Sequence, residues 1–171
     1  SGRSDKGDPE FTCFLVPKGT PGFTAKTMHK KLMWRASDTA ELYFSGVKVP
    51  DSAILGQRGA GSQQMLKTLD SGRLSIAAMG LGCAQGAYEQ TVGAARKRNA
   101  TTTGLPVGSS QAVQIKVAEA GARIDAAELI MRQVCDHAMA VARAGREAAH
   151  EDKLRYRRDA FFSVRMCLEA V

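Results

Sequence analysis

Cysteine is sparse in this chain and never paired in sequence. Cys13, Cys83, Cys135 and Cys167 stand far apart, so neither a CxxC metal pair nor a small disulfide framework is encoded, and a reducing cytoplasmic compartment fits best. Histidine is scarcer. His29, His137 and His150 are remote from one another, and none has Cys, Asp or Glu at a convincing ligand spacing, which argues against a metal site. Long apolar runs are missing too: the longest small-apolar stretch, around 76–84, falls far short of the roughly 20 residues that span a bilayer, and no signal peptide is visible. Neither a GxSxG elbow nor a P-loop occurs. The run Gly80-Leu-Gly82-Cys-Ala-Gln-Gly86 has one residue too many for a dinucleotide fingerprint and no strand before it, so close approach of another backbone is its expected role.

What is present is a basic excess of +7 over 171 residues. The runs Arg96-Lys97-Arg98 and Arg155-Tyr156-Arg157-Arg158 lack the interleaved aromatics or glycines of a nucleic-acid surface, and acidic residues lie scattered between them. A solvated helix face is the expected role. A contact to nucleotide phosphate or CoA is the alternative, and neither nucleic acid nor membrane is an expected partner.

Residues 11–55 read as strands. Phe11-Thr-Cys-Phe-Leu-Val16 precedes the turn-rich Pro17-Lys-Gly-Thr-Pro-Gly22, Ala40-Glu-Leu-Tyr-Phe44 alternates, and Pro50 leaves the sheet because it has no amide proton for a ladder. About four short strands cannot close a sheet alone, so further strands are expected outside this chain. From Ser62 the pattern turns helical. The first helix, roughly 63–97, is rich in Gly and Ala. The second carries Val113, Val117, Ala120, Ile124, Ala127, Met131, Val134, Ala138 and Val141 at unbroken spacings of four and three, a bundle seam. Ser109 or Ser110 can cap its start and Gly145 its end. The third has Glu151 and Asp152 in its first turn and puts Leu154, Phe161, Val164, Leu168 and Val171 on one stripe. Three such helices want a fourth, or a partner subunit. The polar start from Ser1 to Pro9 and a last helix running to Val171 without a stop signal suggest part of a longer chain, one not expected to fold well alone.

Several ordered segments together resemble the acyl-CoA dehydrogenase superfamily over nearly the whole chain. Residues 11–23, 31–42 and 47–56 look like its middle-domain strands, and Gly59-Ala-Gly61, Leu69-Asp-Ser-Gly-Arg73 and residues 76–89 look like the lead into its first C-terminal helix. The fold class this implies is α+β: residues 1–61 form the end of a β-barrel-like middle domain, and 62–171 form an incomplete four-helix bundle. The implied activity is FAD-dependent oxidation of an acyl-CoA to its 2,3-enoyl product, in a homotetramer served by an electron-transfer partner. Asp70 and Arg73 match the substrate-binding positions at the thioester-pantetheine arm, and a guanidinium suits an anionic or carbonyl-rich ligand. Without the resemblance, a salt bridge spaced three apart would be the preferred role for this pair. Arg98, Ser110 and Gln111 match flavin contacts.

The sequence also departs from the pattern. Arg98 is followed by Asn-Ala-Thr-Thr-Thr-Gly104 where the family usually has Phe-Gly, and residues 118–127 and 157–165 look more like the branch that acts as reduced-flavin monooxygenases on aromatic, sulfur or amino-sugar substrates, with FMN and a flavin reductase in place of FAD and an electron acceptor. A flavin-free scaffold of the same fold is a third alternative. A dehydrogenase needs a carboxylate to take the alpha proton. In a minority of the family it sits where this chain has Gly72, and in most it lies beyond the helices present, so no catalytic residue is assigned.

Overall fold

The computed structural model describes residues 2, 3, 7 and 9–171, so most of the polar run from Ser1 to Asp8 lies outside the described residues. The chain divides into two compact units, one running to Leu66 and one from Lys67 to Val171.

The first unit holds two antiparallel ladders. β1 (Gly2–Arg3) pairs with β2 (Pro9–Glu10), and β3 (Phe23–Thr27) pairs with β4 (Ala40–Phe44) in the register Phe23 to Phe44 through Thr27 to Ala40. Phe23 and Phe44 are directly opposite, and their rings stack with centroids 5.0 Å apart, a cross-strand aromatic pair that fixes the register. Gly22, at φ +82°, turns the chain into β3, and a Cβ there would fall 2.2 Å from the Ser45 carbonyl oxygen, so no other residue fits. The strand expected over 11–16 is not a regular one. Phe14 makes an isolated bridge to Ile54, and Leu15 N–H donates to Ala53 O at 2.8 Å while Leu55 N–H donates to Cys13 O at 2.9 Å. The turn residues on either side leave this segment too short a straight partner for a ladder. β3, by contrast, has the ladder that sequence patterning did not assign to it. Phe11, Phe14, Leu15 and Phe44 are each about half exposed, so the described part of this unit has no closed core of its own.

The second unit is built on three helices: α1 (Gly61–Lys97, whose first turns belong to the first unit), α2 (Gln111–Arg143) and α3 (His150–Ala170). No described helix is long and apolar enough to cross a membrane. The α2 seam is as its spacing requires: Ile124, Ala127, Met131, Val134 and Val141 are buried and the remaining seam positions half-buried. Of these, Ile124, Ala127 and Met131 meet Ala77, Leu81 and Ala84 of α1 and Ala160 and Cys167 of α3. α2 ends in a Schellman motif. Gly145, at φ +65°, donates to Ala142 O at 2.9 Å and Arg146 to Val141 O at 3.2 Å. At its start, neither Ser109 nor Ser110 caps with its side chain; the Ser110 carbonyl takes the Val113 and Gln114 amides, and the Ser109 hydroxyl turns back to Pro106 O. α3 starts with half a capping box, Asp152 reaching back to the Ala149 amide at 3.2 Å, because Ala149 has no side-chain acceptor to complete it.

The packing of α3 follows its two rows, and the reading of the α1 glycines changes. On α3 the buried face is Asp159, Ala160, Ser163 and Cys167, whereas Phe161, Leu168 and Val171 of the larger stripe are exposed by 72, 75 and 78%. Small side chains let the α3 backbone come close to the α2 seam, and the bulky stripe is left facing out. Within this chain no other described backbone lies close on Gly80, Gly82 or Gly86 of α1. A Cβ at Gly82 or Gly86 meets nothing within 4 Å, and at Gly80 it would reach Val164 at an ordinary 3.6 Å. The tight glycine is Gly121 on α2, where a Cβ would lie 2.8 Å from the Tyr88 hydroxyl. Gly82→Ala and Gly86→Ala should therefore each stabilise the helix, by about 0.5–1 kcal/mol from propensity alone. Thermal unfolding of the full-length parent protein checks this, and a lower melting temperature would mean that another backbone does lie on that face.

Candidate functional site

Asp70 and Arg73 sit one turn apart on α1 and touch, the Arg73 Nη1 bonding Asp70 Oδ1. The same oxygen takes Nη2 of Arg157, on α3, at 2.7 Å. Arg157 comes from the run read as a solvated helix face, and 87 residues separate it from Asp70. Its sequence signal lay in the stripe itself. Residues 154, 157, 161, 164, 168 and 171 form one continuous row at spacings of three and four, so Arg157 is a charge placed within an apolar face. Its neighbours fit the solvated reading better: Arg158 pairs with Asp159 at 2.7 Å, and Arg155 lies 3.6 Å from it.

The hydrogen bond from Arg157, and then the charges of Arg157, Arg73 and Lys153, hold the Asp70 carboxyl below the usual carboxylate range. Lys67 pairs with Glu147 at 2.8 Å nearby in sequence on α1, so this stretch of the helix carries further ion-paired charge. Beside the Asp70 cluster runs a groove of about 360 Å³ between α1 and α3, with Arg73 and Arg157 at its charged part and Ile76, Phe161 and Val164 among its apolar walls. Gly72, the position of a possible base, is half-buried, and a Cβ there meets nothing within 4 Å, so packing does not exclude a side chain.

Arg98, Ser110 and Gln111 lie at the far end of α1 and the start of α2. The intervening segment is closed into a hairpin by a bridge between Asn99 and Pro106 and by Val107 N–H donating to Arg98 O at 2.8 Å. Gly108 abuts α1, since a Cβ there would be 3.0 Å from Ala95 O, and this brings the α2 start back beside the α1 end. Arg98 lines a concavity of about 440 Å³ together with Thr91, Thr101, Thr102 and Val113; Ser110 and Gln111 are exposed next to it in sequence and make no hydrogen bond to Arg98. A larger hollow of about 570 Å³, inside the loop over 27–38 of the first unit, holds none of these residues and is an open loop interior laced by Lys31 to Thr39 at 2.7 Å.

A third polar cluster ties α2 to α3. His137 Nδ1 lies 2.7 Å from the Tyr156 hydroxyl and its Nε2 3.8 Å from Asp152. Burial, then the Asp152 charge, raises the Tyr156 pKa, so this phenol stays neutral and serves as a structural hydrogen-bonding group. Among the described residues no three His, Cys, Asp or Glu side chains are grouped to hold a metal ion.

Residues 74–171 match the family model described as the acyl-CoA dehydrogenase C-terminal domain. The chain is 38% identical over 127 residues to a probable acyl-CoA dehydrogenase of Bacillus subtilis, covering 74% of this chain and 33% of that protein. It is 40% identical over 120 residues to the mitochondrial short-chain specific acyl-CoA dehydrogenase of Bos taurus, covering 70 and 29%. The butyryl-CoA dehydrogenase structure from Megasphaera elsdenii superposes with a TM-score of 0.76 at 29% identity over 98% of this chain and 40% of that one. The chain thus spans about a third of the length of the curated relatives it matches. With more than half of its length matching that family model and with the same α+β architecture, the chain belongs to the acyl-CoA dehydrogenase family.

Proposed function

We propose that the parent protein is a flavin-dependent oxidoreductase that oxidises an acyl-CoA to its 2,3-enoyl product, with residues 1–61 ending its middle domain and 62–171 contributing most of its helical domain. The observation that carries this reading is the family match over 74–171, continuous with an Asp70–Arg73 pair that borders an apolar groove. In this reading Arg73 presents guanidinium N–H donors to the thioester-pantetheine arm, and Asp70 holds that guanidinium in place.

FAD fits the other end of the helices. The concavity at Arg98 offers a permanent cation and threonine hydroxyls, a donor set suited to a pyrophosphate, and the α2 N-terminus beside it carries no acidic residue in its first turn. Arg98, Ser110 and Gln111 would hold the dinucleotide. When bound, the flavin supplies the sink for the hydride leaving the beta carbon. The alpha proton needs a carboxylate that this chain does not provide at Gly72, and Asp70, kept ionised by two arginines, is poorly placed to be free for it. A homotetramer that works in the cytoplasm and hands electrons to a partner flavoprotein completes the proposal.

Anaerobic absorbance of the full-length protein tests it. Adding short, medium or long acyl-CoA thioesters should bleach the bound flavin. Bound flavin indifferent to every thioester would overturn the dehydrogenase in favour of the monooxygenase branch, and a protein that takes up no flavin would favour the scaffold.

A further inference from the structure

We propose that Arg157 is a positioning residue for Arg73: by taking a share of the Asp70 carboxylate from α3, it keeps Asp70 from closing fully on Arg73 and so leaves that guanidinium aimed at the substrate. The proposal rests on the reading of Arg73 as a contact to the thioester-pantetheine arm and adds to it what holds that contact ready.

The geometry at Asp70 carries it. Nη1 of Arg73 and Nη2 of Arg157 converge on one oxygen, Oδ1, from two different helices. A carboxylate left with Arg73 alone, three residues away on α1, can turn both oxygens to it in the two-pronged pairing that binds a guanidinium most tightly. That pairing would occupy two of the five N–H donors of Arg73 and neutralise its charge. With Arg157 on the same oxygen, the single negative charge of Asp70 is divided between two guanidinia, and Lys153 adds a third positive group from α3. The cluster therefore keeps a net positive charge, and Arg73 keeps donors for a carbonyl or an anion.

The fold does not need this ion pair. Roughly one turn beyond each arginine lies an alanine of the shared core, Ala77 after Arg73 and Ala160 after Arg157, exposed by only 2 and 5%. Both helix backbones are thus fixed by packing, whereas the side chains of Asp70, Arg73 and Arg157 are only partly covered, and ion pairs of that kind add little to stability. What the shared oxygen decides is the direction in which Arg73 points. A guanidinium anchored on a second, independently packed helix holds Asp70 at a fixed place between the two, which a pair confined to one flexible turn of α1 could not do.

Calorimetry on the full-length protein with 3-thiahexanoyl-CoA and 3-thiadodecanoyl-CoA tests the proposal without turnover. Both probes keep the thioester, but a sulfur atom replaces the beta carbon, so no beta hydrogen is there to leave as hydride. Arg157→Leu should weaken the tighter-binding probe about tenfold and move the melting temperature by no more than about 2 °C. Arg157→Lys, which keeps a cation on Asp70, should bind within about threefold of wild type. Arg73→Gln should itself weaken the probe about tenfold, and adding Arg157→Leu to it should weaken binding by less than about a further twofold, because Arg157 acts through the group already removed. Losses that multiply in the double variant, or Arg157→Leu binding as tightly as wild type, would overturn the proposal. So would a large fall in melting temperature accompanied by a lysine variant that does not restore binding, since that is the mark of a purely structural tie. A wild-type protein that binds neither probe would sink the acyl-CoA reading and this proposal with it; wild-type binding that Arg157→Leu leaves unchanged would sink this proposal alone.

Discussion

Met131→Ala should destabilise the helical unit by about 2–5 kcal/mol. Met131 is 3% exposed at the middle of α2, in a core whose other members are Ala77, Leu81, Ala84, Ile124, Ala127, Ala160 and Cys167. Half of those eight residues are alanine, so Met131, Leu81 and Ile124 supply most of the apolar volume between the helices. Removing one of the three leaves a cavity that the surrounding alanines are too short to fill, with Leu74, Tyr88 and Met166 packed against the core only from its edge. Leu168→Ala is the control. Within this chain Leu168 is 75% exposed, where a truncation changes stability by no more than about 0.5 kcal/mol, so a larger loss in the full-length protein reports the fourth helix or partner subunit that the outward stripe calls for. Denaturant unfolding followed by helical circular dichroism in the full-length protein reads both. A Met131→Ala protein as stable as wild type would mean the core is not the one described, and a large effect at Leu168 would mean that a further helix or a subunit covers the outward stripe.

In the proposed acyl-CoA oxidation, Asp70→Ala should lower kcat/KM about a hundredfold, with a much smaller change in stability. An exposed ion pair contributes only about 0.2–1 kcal/mol to folding, but a ligand-binding group displaced by about an ångström can lose a hundredfold in rate. Without the carboxylate, Arg73 and Arg157 are like charges with nothing between them, and each is free to swing out to water. The pH dependence follows from the depressed carboxyl. A carboxylate with a lowered folded-state pKa stabilises fully above its unfolded value of about 3.9, and that contribution is lost as pH falls through the folded value. The tie between α1 and α3 should therefore be unchanged from pH 8 to about pH 5 and weaken only below about pH 4. A loss of the tie near neutral pH in wild type, or an Asp70→Ala enzyme with normal kcat/KM, would refute this role for Asp70.

The bundle helices were legible because their signals are local. α2 could be read from spacing alone, since an unbroken alternation of four and three forces one face inward whatever it meets. Gly145 could be read as its stop, because only a residue tolerant of positive φ makes that cap. The Asp70–Arg73 contact was equally local, one turn apart on a single helix. The sequence by itself determined these features, together with the family resemblance. What needed the tertiary structure was every choice between two faces or two distant segments. α3 has a bulky row and a small-residue row; the small row meets α2 because helices approach closely only where side chains are short, and the bulky row is the one that calls for a fourth helix or a partner subunit. The glycines of α1 look alike in sequence, yet the tight contact falls on Gly121 of α2, fixed by where the Tyr88 ring points. Arg157 belonged by pattern to a solvated run, and its bond to Asp70 exists only because folding brings together two helices whose residues are 87 apart in the chain. Local periodicity sets which elements form, whereas pairing across such distances depends on the packed arrangement, and no short stretch of sequence contains it.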